Sequence, residues 1–212
     1  MITQQEYNLI LQKCKEVPPA KGSYLIHNFI ENLFLTVLDF QMHNVSVSKA
    51  ITYYRNNRFN EIRSINTLKR LLSKYADDKE GNTAVAQYLW DNRHWTRVSL
   101  LRKLTAYFES INVTSQEELR CWAEKSDFKR DFENKIPRMG YAIYQWLIMR
   151  QGIETIKPDT HLIRFVESIV HHSFTENELV DVLEKIAKQL ALKTYELDWK
   201  IWEFQRGQEG TI

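Results

Sequence analysis

Between residues 135 and 164 the sequence reads KIPRMGYAIYQWLIMRQGIETIKPDTHLIR, and two features of it are suited to chemistry. The first is Pro137-Arg138-Met139-Gly140, placed just before an apolar run that begins at Tyr141. A helix start exposes unpaired N–H groups and carries partial positive charge. A glycine there lets a phosphate approach the backbone closely, and an arginine adds a charge-assisted contact. Pro137, Arg138, Met139, Gly140 and Tyr141 are therefore candidate phosphate-binding positions; the plainer reading is an ordinary corner between two helices. The second feature is Asp159, which follows Pro158 and opens the next helical stretch. A fixed carboxylate at such a place can stabilise positive charge developing on a substrate and orient water. Its plainer reading is an N-cap aspartate.

The elements that must position these residues are all helical. Tyr7, Ile10, Leu11 and Cys14 make one stripe over 4–16, which Pro18-Pro19 end. Ser23 is the expected cap of a central, nearly buried helix through Ile26, Phe29, Ile30, Leu33, Phe34, Val37 and Leu38. Further helices are expected over 45–58 (with Asn44 or Ser46 near the cap), 65–75, 84–90, 95–111, 160–170 and 195–205, with 77–82 as a polar loop. Ser115–Glu118 and Thr175–Glu178 read as capping boxes, which begin two more. About ten helices, no convincing strand and no repeat give an all-α chain.

Composition supports that class and narrows the function. Only 6 Gly and 4 Pro among 212 residues are too few for a turn-rich β fold. Two distant cysteines exclude a disulfide framework and a cysteine-ligated metal cluster, and suit a reducing, cytoplasmic setting. No apolar run is long enough to span a bilayer, so no membrane partner is expected. A net charge of +2 means that nucleic-acid binding would depend on a few placed cations rather than on a polybasic surface.

Three blocks in order resemble the helix-hairpin-helix DNA glycosylase superfamily, which includes endonuclease III and the adenine glycosylases. The family hairpin L-P-G-V-G is matched by Ile136-Pro137-Arg138-Met139-Gly140. Its V-D-T-H-x-x-R is matched by Pro158-Asp159-Thr160-His161-Leu162-Ile163-Arg164, and its A-Q-A-T-D-V-S-V-N-K-A by residues 40–50, FQMHNVSVSKA. The resemblance covers residues 26–166. It implies two helical lobes, 23–150 ending in the hairpin and 1–22 with 151–212, with a DNA-binding cleft between them faced by Gln41, the hairpin and Asp159. It further implies that the hairpin grips a phosphate, that Gln41 fills the gap left by an extruded base, and that Asp159 stabilises the sugar cation formed as an N-glycosidic bond breaks. His43, Asn44 and Tyr144 would border the pocket.

This sequence departs from the family in three places. Arg138 stands where the hairpin has its first glycine, and a positive φ there strains an arginine. Ala142 stands where bifunctional members carry the Schiff-base lysine, so the resemblance implies a monofunctional enzyme that uses water. The four-cysteine cluster is missing, leaving Trp199 and Trp202 to help close the C-terminal region as core residues. No cofactor and no metal are implied. The expected partner is double-stranded DNA carrying a damaged or mispaired base, bound by a monomer of the cytoplasm, the bacterial nucleoid or the nucleus.

Two other readings stay open. One is a DNA-binding or lesion-sensing relative without catalysis, and the other an all-α protein-interaction module in which Asp159 is only a cap. His171-His172 reads as a surface pair rather than a metal site, because adjacent helical residues diverge by about 100°. Arg55, Arg58, Lys69 and Arg70 read as solvated.

Overall fold

The computed structural model describes residues 2–21, 25–40 and 42–209, and among them every regular element is helical. The helices are α1 (Gln4–Glu16), α2 (Phe29–Leu38), α3 (Asn44–Asn57), α4 (Ile65–Leu72), α5 (Lys79–Trp90), α6 (Trp95–Ser110), α7 (Gln116–Lys125), α8 (Tyr141–Met149), α9 (Thr160–Val170), α10 (Glu176–Gln189) and α11 (Thr194–Glu209). A single π-helical turn, Phe128–Phe132, lies between α7 and α8. The chain forms two compact units: Met1–Leu25 with Tyr141–Ile212, and Ile26–Gly140. The division falls at Gly140/Tyr141, ten residues before the boundary expected from sequence, so α8 belongs to the unit of the C-terminal helices.

The Ile26–Gly140 unit is built on α2. Asn28 caps it by accepting from the Glu31 N–H at 2.9 Å, five residues after Ser23, which lies outside the described residues. All α2 residues except Leu35 are buried. Phe34 makes edge contacts with Tyr54 of α3 and Trp90 of α5, and α6 lies along α2. Each large apolar side chain fully removed from water contributes about 1.5–3 kcal/mol before the entropy of ordering is subtracted. Buried Glu31 is held by Arg55, whose Nε and Nη2 donate to its two carboxylate oxygens at 3.0 and 2.7 Å. Arg55 is exposed, as expected, and also pairs with Glu31; Arg58 is half-buried, stacks on Tyr88 and pairs with Glu61.

Within the polar stretch 77–82, Asp77 and Asp78 are irregular, as expected of a loop, but residues 79–82 form the first turn of α5. Asp78 caps α5 by accepting from the Gly81 N–H at 2.7 Å. A Cβ on Gly81 would lie 2.3 Å from the Ala76 carbonyl oxygen, so glycine is required by this close approach. Buried Asn82 accepts from Arg102 Nε at 2.8 Å, while Arg102 also donates to the Leu72 and Tyr75 carbonyls at 2.8 and 2.9 Å. Arg102 thus ties the end of α4 and the following turn to Asn82 in the first turn of α5.

In the other unit α1, α9, α10 and α11 share one core of Ile10, Leu11, Leu162, Phe165, Leu183, Ile186, Leu197 and Ile201, among others. The capping boxes at Ser115 and Thr175 form as the sequence indicates. Trp199 and Trp202 are half-buried and stack at 4.8 Å, with the Trp199 indole N–H donating to the Lys21 carbonyl at 3.0 Å. Trp202 packs against the core as expected, though neither ring is fully buried.

Candidate phosphate corner and carboxylate site

The chain turns at Ile136–Met139, where the Met139 N–H donates to the Ile136 carbonyl at 3.2 Å. Pro137 occupies the second position of this four-residue turn and Arg138 the third, with φ +68°. Proline followed by a positive φ is the signature of a type II turn, whose third position favours glycine. The arginine therefore sits in the left-handed region, the strain that its replacement of a glycine implied. Pro137, Arg138 and Gly140 are exposed, whereas Met139 is 3% exposed and is part of the core. A Cβ on Gly140 would meet nothing within 4 Å, so open space lies beside the backbone just ahead of α8.

A second cation belongs to this corner. Arg97, near the start of α6, lies over the Phe40 ring at 5.1 Å, and its buried Nε has no hydrogen-bond partner. Burial lowers its pKa, and the positive charge of Arg138 lowers it further. Arg97 thus brings Phe40, in the block that contains Gln41, into relation with the 137–140 turn. The signal in the sequence is the 93–97 run RHWTR, which combines cations with an aromatic at a helix start. Gln41 itself lies outside the described residues. His43 is the exposed N-cap of α3, making no side-chain cap bond, and Asn44 is half-buried as the first helical residue.

Asp159 belongs to the other unit, where it caps α9. Its Oδ1 accepts from the N–H groups of His161 and Leu162 at 2.9 and 3.3 Å. Its Oδ2 lies 3.6 Å from Lys157 Nζ, each side chain retaining 15% exposure. The Lys157 ammonium also sits 4.9 Å from the centre of the Trp146 ring. One oxygen is thus fixed by backbone, and the other faces a lysine and partial solvent. Asp198 of α11, 3% exposed, ties this segment down: its Oδ2 accepts from the Lys157 N–H at 2.8 Å. Nothing in the sequence distinguished Asp198 from its helical neighbours.

Tyr141 and Tyr144 both lie on α8. Tyr144 is only 4% exposed, so lining a pocket would require the packing around it to open. Tyr141 is half-buried and shares its hydroxyl with Gln145 Nε2. Thr155 Oγ1 then lies 3.0 Å from Gln145 Oε1 and 3.3 Å from Glu184 Oε1. A threonine hydroxyl has one proton, so it cannot donate fully to both acceptors. Burial raises the Glu184 pKa, against the opposing effect of the Thr155 hydrogen bond. Sequence reasoning missed this network because its members come from α8, α10 and the segment between α8 and α9.

Among the described residues no group of three or more potential metal-ligating side chains occurs. His172 pairs with Glu6 at 3.0 Å, and His171 ends α9 with φ +58°. Among the described residues no helix is long and apolar enough to cross a membrane.

A family model described as "Domain of unknown function (DUF8548)" matches residues 8–206. The chain belongs to that family. The matched span of DUF8548 takes in every candidate residue from Gln41 to Asp159. No curated protein and no solved structure matches the chain.

Proposed function

We propose that this DUF8548 chain is a monofunctional DNA N-glycosylase that removes a damaged or mispaired base flipped out of duplex DNA. The observation that carries the reading is Arg138, an exposed arginine held at φ +68° in a Pro137-led turn ahead of α8. Backbone strain at an exposed cation is retained where the cation has a task, and phosphate contact is the task that fits an open corner beside a helix start. Arg97, desolvated and without a hydrogen bond at Nε, supplies a second anion-seeking group. In the proposed reaction Asp159 Oδ2 faces the deoxyribose while Oδ1 stays on the backbone of α9. The C1′–N bond breaks with its electron pair leaving on the base, and water adds at C1′ and gives its proton to solvent. The carboxylate stabilises the sugar cation between these events. Helix-hairpin-helix architecture and a cleft for duplex DNA are part of this proposal.

A panel of duplexes carrying uracil, 8-oxoguanine, alkylated purines or mismatches tests it. Excision that disappears in Asp159→Asn supports the reading, since asparagine keeps the cap and removes the charge. The second reading, a DNA-binding relative without catalysis, is favoured by the commitment of Asp159 to its cap and to Lys157. Salt-sensitive duplex binding with no excision across the panel selects it. Failure to bind any duplex removes both.

A further inference from the structure

Asp198 is an acid the proposed chemistry does not use. It is 3% exposed on α11, and it accepts a hydrogen bond from the Lys157 N–H at 2.8 Å. The charged groups that act on it are Asp159, at the cap of α9, and Lys157, in the segment before it. The inward residues of α9 and α10, the helices that pack against α11, are apolar: Leu162, Phe165 and Val166, and Leu179, Leu183 and Ile186. Lys157 therefore bears on both carboxyls: its backbone N–H bonds to Asp198, and its ammonium lies 3.6 Å from the oxygen of Asp159. Asp159 also receives two backbone N–H groups, whereas Asp198 receives one. In a low-dielectric site with one cation, the better-solvated and better-bonded carboxyl keeps the charge and the other keeps a proton.

We infer that Asp198 is a positioning residue which carries the proton of this pair, so that Asp159 is the single anion at the head of α9 and the Lys157 segment is held at a fixed place. The inference rests on the reading of Asp159 as the working carboxylate. Burial first, then the charge of Asp159, pushes the Asp198 carboxyl up to about 8, against the opposing pull of the Lys157 N–H and ammonium. Above that pH a second negative charge would appear behind Asp159 and compete for Lys157. A neutral Asp198 also explains how a carboxyl can be this buried with no cation of its own.

The test is a carbon-detected NMR titration of the side-chain carboxyls in the full chain, from pH 5 to 9.5. Asp198→Asn assigns the signal, and its amide oxygen can still accept from the Lys157 N–H. The expected result is one carboxyl that is protonated at pH 6, absent in Asp198→Asn, and moved to lower pH in Asp159→Asn because the repelling charge is gone. Asp198 found ionised at pH 6 overturns the inference, as does a midpoint that Asp159→Asn leaves in place. On an excised lesion, Asp198→Asn is expected to keep neutral-pH activity within a few-fold and to lose the alkaline fall of the wild type; an unchanged alkaline fall also overturns it. If the wild type excises nothing, the glycosylase reading fails, while the titration still decides how the two carboxyls share their proton.

Discussion

Replacing Arg138 with glycine separates strain from function, because the two effects have opposite signs. A non-glycine residue in the left-handed region costs about 1–2 kcal/mol, and Arg138 has φ +68°. Glycine recovers that cost but gives the unfolded chain more freedom, worth about 0.4–1 kcal/mol. The balance leaves Arg138→Gly more stable by about 0.5–1 kcal/mol, which for a chain of this size raises Tm by about 1–4 °C. The guanidinium is exposed, so its loss removes little packing. Duplex affinity should nevertheless fall, and the plot of log affinity against log salt should become shallower by about 0.9, the loss of one phosphate contact. Arg138→Ala serves as the control: it keeps the strain and loses the cation, so binding falls without a gain in Tm. Calorimetry and a salt series of fluorescence-anisotropy titrations read both quantities. A glycine variant less stable than wild type would refute the strain argument, and an unchanged salt slope would refute the phosphate contact.

Other perturbations test further parts of the structure. With borohydride present, wild type acting on its substrate should give no covalent DNA adduct; a robust adduct, with Lys157 as the obvious amine, would sink the monofunctional assignment. Burial pushes the Cys14 thiol up to about 12, while Cys121 is exposed. A chromogenic disulfide at pH 8 should therefore titrate one thiol in the folded chain and two in denaturant, and two fast thiols in the folded chain would contradict this burial. The Asp198 proton is bound more tightly folded than unfolded, so its contribution to stability is full below about pH 4 and is lost as pH rises to about 8. Wild type should lose stability relative to Asp198→Asn by at most about 1.4 kcal/mol per pH unit in that window, as measured by urea unfolding at a series of pH values; parallel profiles would contradict it. Arg102→Met leaves the Leu72 and Tyr75 carbonyls and Asn82 without their donor, and should cost about 3 kcal/mol by the same assay.

Helical periodicity was enough to identify α2 as a buried centre, and two capping boxes marked the starts of α7 and α10. These features are local: a side chain three residues along meets an open N–H, and apolar residues recur every three or four positions. The 77–82 stretch defeated the same reasoning. Its α5 start at Lys79 rests on the Asp78 cap, and Asn82 is held by Arg102, 20 residues away, a contact that charge and glycine content do not reveal. The beginning of α2 was placed too early: residues 25–28 are not helical, and Asn28 supplies the cap bond.

At the candidate sites the division is similar. The sequence determined that a proline-led turn with an arginine in a glycine's place precedes α8, and that Asp159 heads α9, because each rests on a few consecutive residues. Only the tertiary structure decided that Arg97 lies over Phe40 within reach of the charge of Arg138, that the free oxygen of Asp159 faces Lys157, and that Asp198 is buried beneath that segment. Burial and charge sharing depend on which helices pack together, and side chains 40 residues apart meet only when the core of α9, α10 and α11 has closed.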